Sequence, residues 1–180
     1  MKQIKKILPK KDGGFTLIEV VLYLAIFAAV VGAIVGLAIL TISQREKNEV
    51  ITSVNYQGEA VLGLVEQTIH ESSAINTPAL GGSSSALSLT MPSASINPTI
   101  FSSYNDGSTI HLEISQGSPA VNSYLTNSHV VISNLTFSNE GFTGTNGSIL
   151  ISFTLSYESA SSLEEFTFQK TFYGAASIPL

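Results

Sequence analysis

The stretch Gly13-Gly14-Phe15-Thr16-Leu17-Ile18-Glu19 opens an apolar run that lasts to Ile42, and its reading decides the fold. From Phe15 to Ile42 the one charged side chain is Glu19. As a helix rising ~1.5 Å per residue the run is about 42 Å long, more than the ~30 Å hydrocarbon core of a bilayer. A membrane-spanning helix is therefore expected over residues 15–42. A carboxylate four residues inside such a helix costs roughly 3 kcal/mol unless something pairs with it, so Glu19 needs a partner.

The flanks point the same way. Residues 1–14 hold Lys2, Lys5, Lys6, Lys10 and Lys11 against Asp12, a charge of +4, so the net −5 of the chain leaves −9 for everything after Gly14. Basic flanks stay in the cytoplasm, which puts the leader inside and the chain beyond Ile42 outside. With 180 residues, 44% of them hydrophobic and 12% charged, the chain has room for one anchor and one modest head. That head has Arg45, Lys47 and Lys170 as its fixed cations, which argues against nucleic-acid binding, because phosphate contacts need clustered Lys and Arg. Cysteine is absent, so packing alone must hold the head.

Gly14 followed by Phe15-Thr16-Leu17-Ile18-Glu19, behind a short basic leader and ahead of an uninterrupted apolar helix, resembles the type IV filament superfamily. Its members are type IV pilins, type II secretion pseudopilins and competence pilins. The resemblance covers roughly the first quarter of the chain. It implies that a prepilin peptidase cuts between Gly14 and Phe15, that the new amine of Phe15 is methylated, and that the anchor is retained. The residues suit that chemistry, since Gly14 has no side chain to obstruct a narrow site and the cut exposes an α-amine of reference pKa about 7.7–8.0. In assembly, Phe15 of an incoming subunit would meet Glu19 of a neighbour, and the resemblance thus reads Glu19 as an assembly determinant. The implied partners are the peptidase, other pilin or pseudopilin subunits, the assembly platform of the inner or cytoplasmic membrane, and lipid before assembly. After processing, the subunit would stand in an extracellular or periplasmic filament. A finer similarity, to minor pilins and pseudopilins with larger heads, rests on the order of long helix, loop and strands.

Beyond the leader, residues 1–14, proline is absent from Phe15 to Thr77, so one helix can run on out of the anchor. Within the anchor Ala28, Gly32 and Gly36 recur every four residues, either to let helices approach closely or simply to fill a lipid-facing surface. Over residues 43–77 the apolar positions Val50, Val54, Val61, Leu62, Val65 and Ile69 mark one face of an amphipathic helix, which Asn76-Thr77-Pro78 is expected to end. Gly58 and Gly63 are expected to loosen it. Residues 78–180 form the head. Ala79 to Ser103 reads as loop-rich, with a short strand from Ala86 to Met91. Alternation then predicts strands over Thr109 to Ser115, His129 to Phe137, Ser148 to Tyr157 and Glu165 to Tyr173, the last marked by Phe166, Phe168 and Phe172. Asn105-Asp106-Gly107 and Gly144-Thr145-Asn146-Gly147 are turn sequences that make antiparallel hairpins of them.

Catalytic chemistry is hard to find. His70, His111 and His129 lack ligand-like spacing, no Gly-x-Ser-x-Gly elbow occurs, and Asn105-Asp106-Gly107 is not followed by the oxygen ligands of a calcium loop. No catalytic residue, metal or cofactor is expected. Phe101, Tyr104, Phe142 and Tyr157 fit either core filling or an adhesive patch. The fold expected is α+β, a long N-terminal helix, transmembrane and then amphipathic, packed on a C-terminal antiparallel β-sheet head. The function expected is a structural filament subunit, a minor pilin or pseudopilin. The competing reading is a bitopic surface-anchored binding protein that never enters a filament.

Overall fold

The computed structural model describes residues 14–142, 144, 147–157 and 168–179. The leader lysines, Thr145-Asn146 of the second turn, and Phe166 lie outside the described residues. The chain divides into two compact units, Met1–Gln44 and Arg45–Leu180, and one helix, α1 (Leu17–Glu71), contributes to both.

In the first unit α1 is apolar on every side. Among the described residues it is the one helix long and apolar enough to cross a membrane. Helix is the natural state of such a run, because it satisfies each backbone N–H and C=O within the segment. Where hydroxyls appear near the end of the run, Thr41 Oγ1 donates to the Leu37 carbonyl at 2.8 Å and Ser43 Oγ to that of Ile39 at 3.2 Å, so neither is left unpaired.

In the second unit the same helix becomes one-sided. Val50, Val54, Gly58, Val61, Val65, Thr68 and Ile69 are buried, at spacings of three, four and seven that bring them onto a single stripe. The helix stops at Glu71, not at Thr77 as the Asn76-Thr77-Pro78 signal suggested. The cause lies in two serines. Ser72 Oγ donates to the Ile69 carbonyl at 2.7 Å, capping the last turn, and Ser73 N donates to the Thr90 carbonyl at 2.8 Å, drawing the chain into a sheet. Ala74–Thr77 is therefore strand β1.

Nine strands follow the helix among the described residues: β1, β2 (Ser83–Ser84), β3 (Leu87–Thr90), β4 (Thr99–Asn105), β5 (Ile110–Gln116), β6 (Val121–Tyr124), β7 (Val130–Asn139), β8 (Ser148–Tyr157) and β9 (Gln169–Ser177). They make two antiparallel sheets, ordered β1-β3-β4-β5-β6 and β2-β7-β8-β9, where one sheet was expected. Both sheets and the helix stripe share one core. Val54, Val61, Val65 and Ile69 meet Leu87, Leu89, Phe101 and Leu112 from the first sheet and Ile132, Phe137, Phe153 and Leu155 from the second. The α+β architecture is thus a helix packed on antiparallel sheets, as expected.

Individual strands follow the alternation closely or break it for visible reasons. In β8 Ile149, Ile151, Phe153 and Leu155 are all at most 2% exposed, on one face as read from the sequence. In β7 the pairing slips from Ser133↔Thr154 to Thr136↔Ser152, leaving one extra residue on β7, where Asn134 takes φ 52°. The bulge shifts the phase. Val130 and Ile132 point into the core before it, and Leu135 and Phe137 after it. Strand β9 starts after Phe168 and ends later than the Glu165 to Tyr173 expectation, whose residues 165–167 lie outside the described residues, with Phe172 buried and Phe168 half-buried. The stretch read as loop contains most of β4, whose buried positions Thr99 and Phe101 include one large apolar side chain, too few to show as alternation.

Two glycines set how closely helix and sheet approach. A Cβ at Gly58 would overlap the Phe172 ring, and one at Gly174 would overlap Leu62 and Glu66. Gly58 is thus a seat for Phe172, not the loosening site expected of it. Phe172 in turn stacks on Phe153 at 5.4 Å, under Lys170 Nζ at 4.8 Å from its centroid. Lys170 Nζ also donates to Asn55 Oδ1 of the helix at 2.6 Å. Gly63, by contrast, is exposed with nothing near it.

The β4–β5 turn is built by one carboxylate. Gly107 adopts φ 95°, and Asp106 Oδ1 accepts from the N–H groups of Ser108 and Thr109, each at 2.8 Å. Oδ2 lies 3.1 Å from His111 Nε2. The N–H of Thr109, that of Ser108 and the His111 ring together hold the Asp106 carboxyl down to about 2 from its ordinary 3.8.

The Gly58 seat predicts opposite outcomes at neighbouring positions. In urea denaturation of the full chain in micelles, Gly58→Ala is expected to destabilise by about 1–3 kcal/mol through overpacking, whereas Gly63→Ala is expected to stabilise by up to ~1 kcal/mol. The turn predicts a pH dependence. A carboxyl depressed in the folded state adds stability that is fully present above 3.8 and lost as pH falls through about 2. The urea midpoint of Asp106→Asn should therefore lie below that of the parent near neutral pH, with the gap closing across that window.

Candidate processing and assembly site

The candidate site is built on the start of α1. Gly14, Phe15 and Thr16 precede the helix, and Thr16 caps it. Its carbonyl accepts from Glu19 N at 3.0 Å and Val20 N at 3.2 Å, while its Oγ1 accepts from Glu19 N at 3.3 Å. The Gly14–Phe15 bond thus lies in non-helical backbone, and a Cβ at Gly14 would meet open space. Such a segment keeps its N–H and C=O groups free to pair with another backbone, as a peptidase substrate must.

Thr16-Leu17-Ile18-Glu19 has the spacing of a capping box, in which the glutamate would reach back to the N–H of the cap. Glu19 turns the other way. Its Oε1 accepts a hydrogen bond from the Tyr23 hydroxyl, one turn further on, at 3.3 Å. Phe15, 74% exposed, meets the same tyrosine edge to face, with ring centroids 6.4 Å apart at 75°. Phe15, Glu19 and Tyr23 therefore line one helix face at four-residue spacing. From Gly14 to Glu49 every residue is exposed except Glu19, which is half-buried. Among the described residues Glu19 has no cationic partner, the one ion pair being His111 with Asp106 in the other unit.

Ala28, Gly32 and Gly36 are exposed, and both glycines face open space. At ~100° per residue their stripe lies about 140° around the helix from Glu19. The structure thus brings Phe15 and Glu19 together on one face and leaves the small residues on another. The tyrosine contact was not read from the sequence. Its signal was present, a lone phenol four residues after a lone carboxylate in an otherwise apolar run.

In the head, the three histidines stay apart, and among the described residues no group of three or more His, Cys, Asp or Glu could hold a metal. His111 is buried beside Asp106, with Tyr124 stacked on it at 4.7 Å and Tyr104 on Tyr124 at 5.7 Å. Its Nδ1 is buried without a hydrogen-bond partner, so no serine hydroxyl is held against it as in a nucleophilic triad. Of the four aromatics considered, Phe101 is core, Tyr157 half-buried, and Tyr104 and Phe142 are exposed at 44% and 78%.

Residues 9–35 match the prokaryotic N-terminal methylation motif. The match takes in Gly14, Phe15, Glu19, Tyr23, Ala28 and Gly32, and leaves Gly36 and the whole head outside it. A search of curated proteins and a search of solved structures each find no match to the chain. With that motif at its N-terminus, and with a long apolar helix that packs further along on antiparallel sheets, the chain is type IV pilin-like.

Proposed function

We propose that the chain is a minor pilin or pseudopilin, a subunit that a prepilin peptidase processes and that other subunits take up through its N-terminal helix. The observation that carries this reading is the methylation motif over residues 9–35, with a non-helical Gly14–Phe15 bond directly ahead of a helix whose apolar first part is exposed, Glu19 alone being half-buried. The motif points to a structural subunit, not an enzyme.

Each step follows from the residues. The basic leader holds the N-terminus in the cytoplasm while α1 enters the membrane, and the unit from Arg45 onward is exported. Hydrolysis of the Gly14–Phe15 bond removes the leader charge and frees the amine of Phe15, which methylation leaves basic. The cationic amine of one subunit then pairs with Glu19 of a neighbour, removing two charges from lipid at once. Ala28, Gly32 and Gly36 offer a second face on which a neighbouring helix can lie close. The size of the head supports a subunit that initiates or caps a filament over one that forms its bulk.

The N-terminal peptide of protein taken from membranes or sheared filaments of its own host is expected to begin at a methylated Phe15 by mass. Gly14→Arg should keep its leader. Glu19→Ala should be cleaved normally yet fall in the filament fraction by about tenfold or more, because an unpaired buried amine is costly. Native protein that retains residues 1–14 in a host possessing the peptidase would overturn the filament reading in favour of a surface-anchored binding protein.

A further inference from the structure

We propose that Tyr23 is a positioning residue for Glu19, holding its carboxylate while the subunit waits in the membrane and releasing it when the Phe15 amine of a neighbour arrives. The inference rests on the filament reading for its second half. Its first half stands on geometry alone.

A lone carboxylate in an apolar run has few ways to be satisfied. Thr16 Oγ1 accepts from the backbone N–H of Glu19 and is aimed at that group at 3.3 Å. Oε1 takes its hydrogen bond from Tyr23, the one side chain that donates to this carboxylate among the described residues. That contact explains why Glu19 forgoes the backward capping bond its spacing offers, and why it alone is half-buried between Gly14 and Glu49. The phenol suits the place, presenting an apolar ring to lipid and a donor at its tip. Its ring also touches Phe15, the residue that would carry the new amine, at 6.4 Å between centroids. Tyr23 therefore bridges the two groups on which assembly depends, and fixes the carboxylate on the face that Phe15 shares.

A spectroscopic measurement tests the contact apart from assembly. In full-length protein labelled with ring-13C tyrosine in lipid bilayers, the Cζ resonance of Tyr23, identified by its loss in Tyr23→Phe, is expected to move on Glu19→Gln. An unmoved resonance overturns the proposal. In the host, Tyr23→Phe should be cleaved and methylated like the parent but lower the share of mature subunit in sheared filaments by about tenfold or more, the effect of losing one hydrogen bond to a charged group. A filament share equal to that of the parent overturns the positioning role even where the resonance moves. If the parent itself retains its leader, the filament reading fails and the positioning role with it, while the resonance still reports whether tyrosine and glutamate meet.

Discussion

Lipid offers a backbone no hydrogen-bond partner, and that constraint shapes this chain from the first turn of α1. A segment apolar on all sides satisfies its N–H and C=O groups within itself only as a helix, so Leu17 to Gln44 has one available conformation. With no proline from Phe15 to Thr77 to interrupt it, the helix carries on beyond the apolar run. It then takes on a second task. From Val50 to Ile69 it presents one apolar stripe, and two sheets that could not bury their inner faces alone close over it. The anchor and the core of the head are thus successive uses of a single element.

How close that second packing is depends on what is missing from side chains, not on what is present. Gly58 lets the Phe172 ring press directly on the helix backbone, and Gly174 does the reverse for Leu62 and Glu66. Fully burying a Phe or Leu side chain contributes about 1.5–3 kcal/mol, and a head without disulfides relies on many such burials in one connected cluster. The sheet edges are kept unattractive to stray strands. Strand β2 has two residues, β6 is exposed and short, and β9 carries Lys170 at its start.

Much of this was legible in the sequence wherever periodicity and burial coincide. The stripe of α1 and the four inward positions of β8 show themselves because most of their core-facing positions are large and apolar. Strand β4 did not, because its two buried positions are Phe101 and the polar Thr99, and β6 did not, because none of its four residues is buried. The end of the helix was misplaced because Pro78 is a stronger written signal than Ser72 and Ser73, whose hydroxyl and amide act only once the Ile69 and Thr90 carbonyls stand beside them. The same limit applied to Gly58, whose role is invisible until Phe172 lies across it. The candidate site was the most legible part, since Gly14, Phe15 and Glu19 are adjacent in the chain and their chemistry is local. What it lacked was Tyr23, a residue that reads as apolar filling until its hydroxyl is placed.

The choice of a phenol for that place follows from strengths. On the filament reading, a carboxylate waiting in lipid needs a partner good enough to hold it, yet poorer than the amine that would displace that partner. A hydrogen bond to a charged group contributes about 1.5–3 kcal/mol, whereas losing one member of a buried ion pair costs about 3–5 kcal/mol. Tyrosine therefore stabilises Glu19 and still yields to a cation. A lysine or arginine at the same spacing would hold Glu19 as firmly as the incoming amine and leave assembly without a driving force. An apolar residue would leave the carboxylate without a hydrogen-bond donor while it waits in lipid, the most costly of the three arrangements.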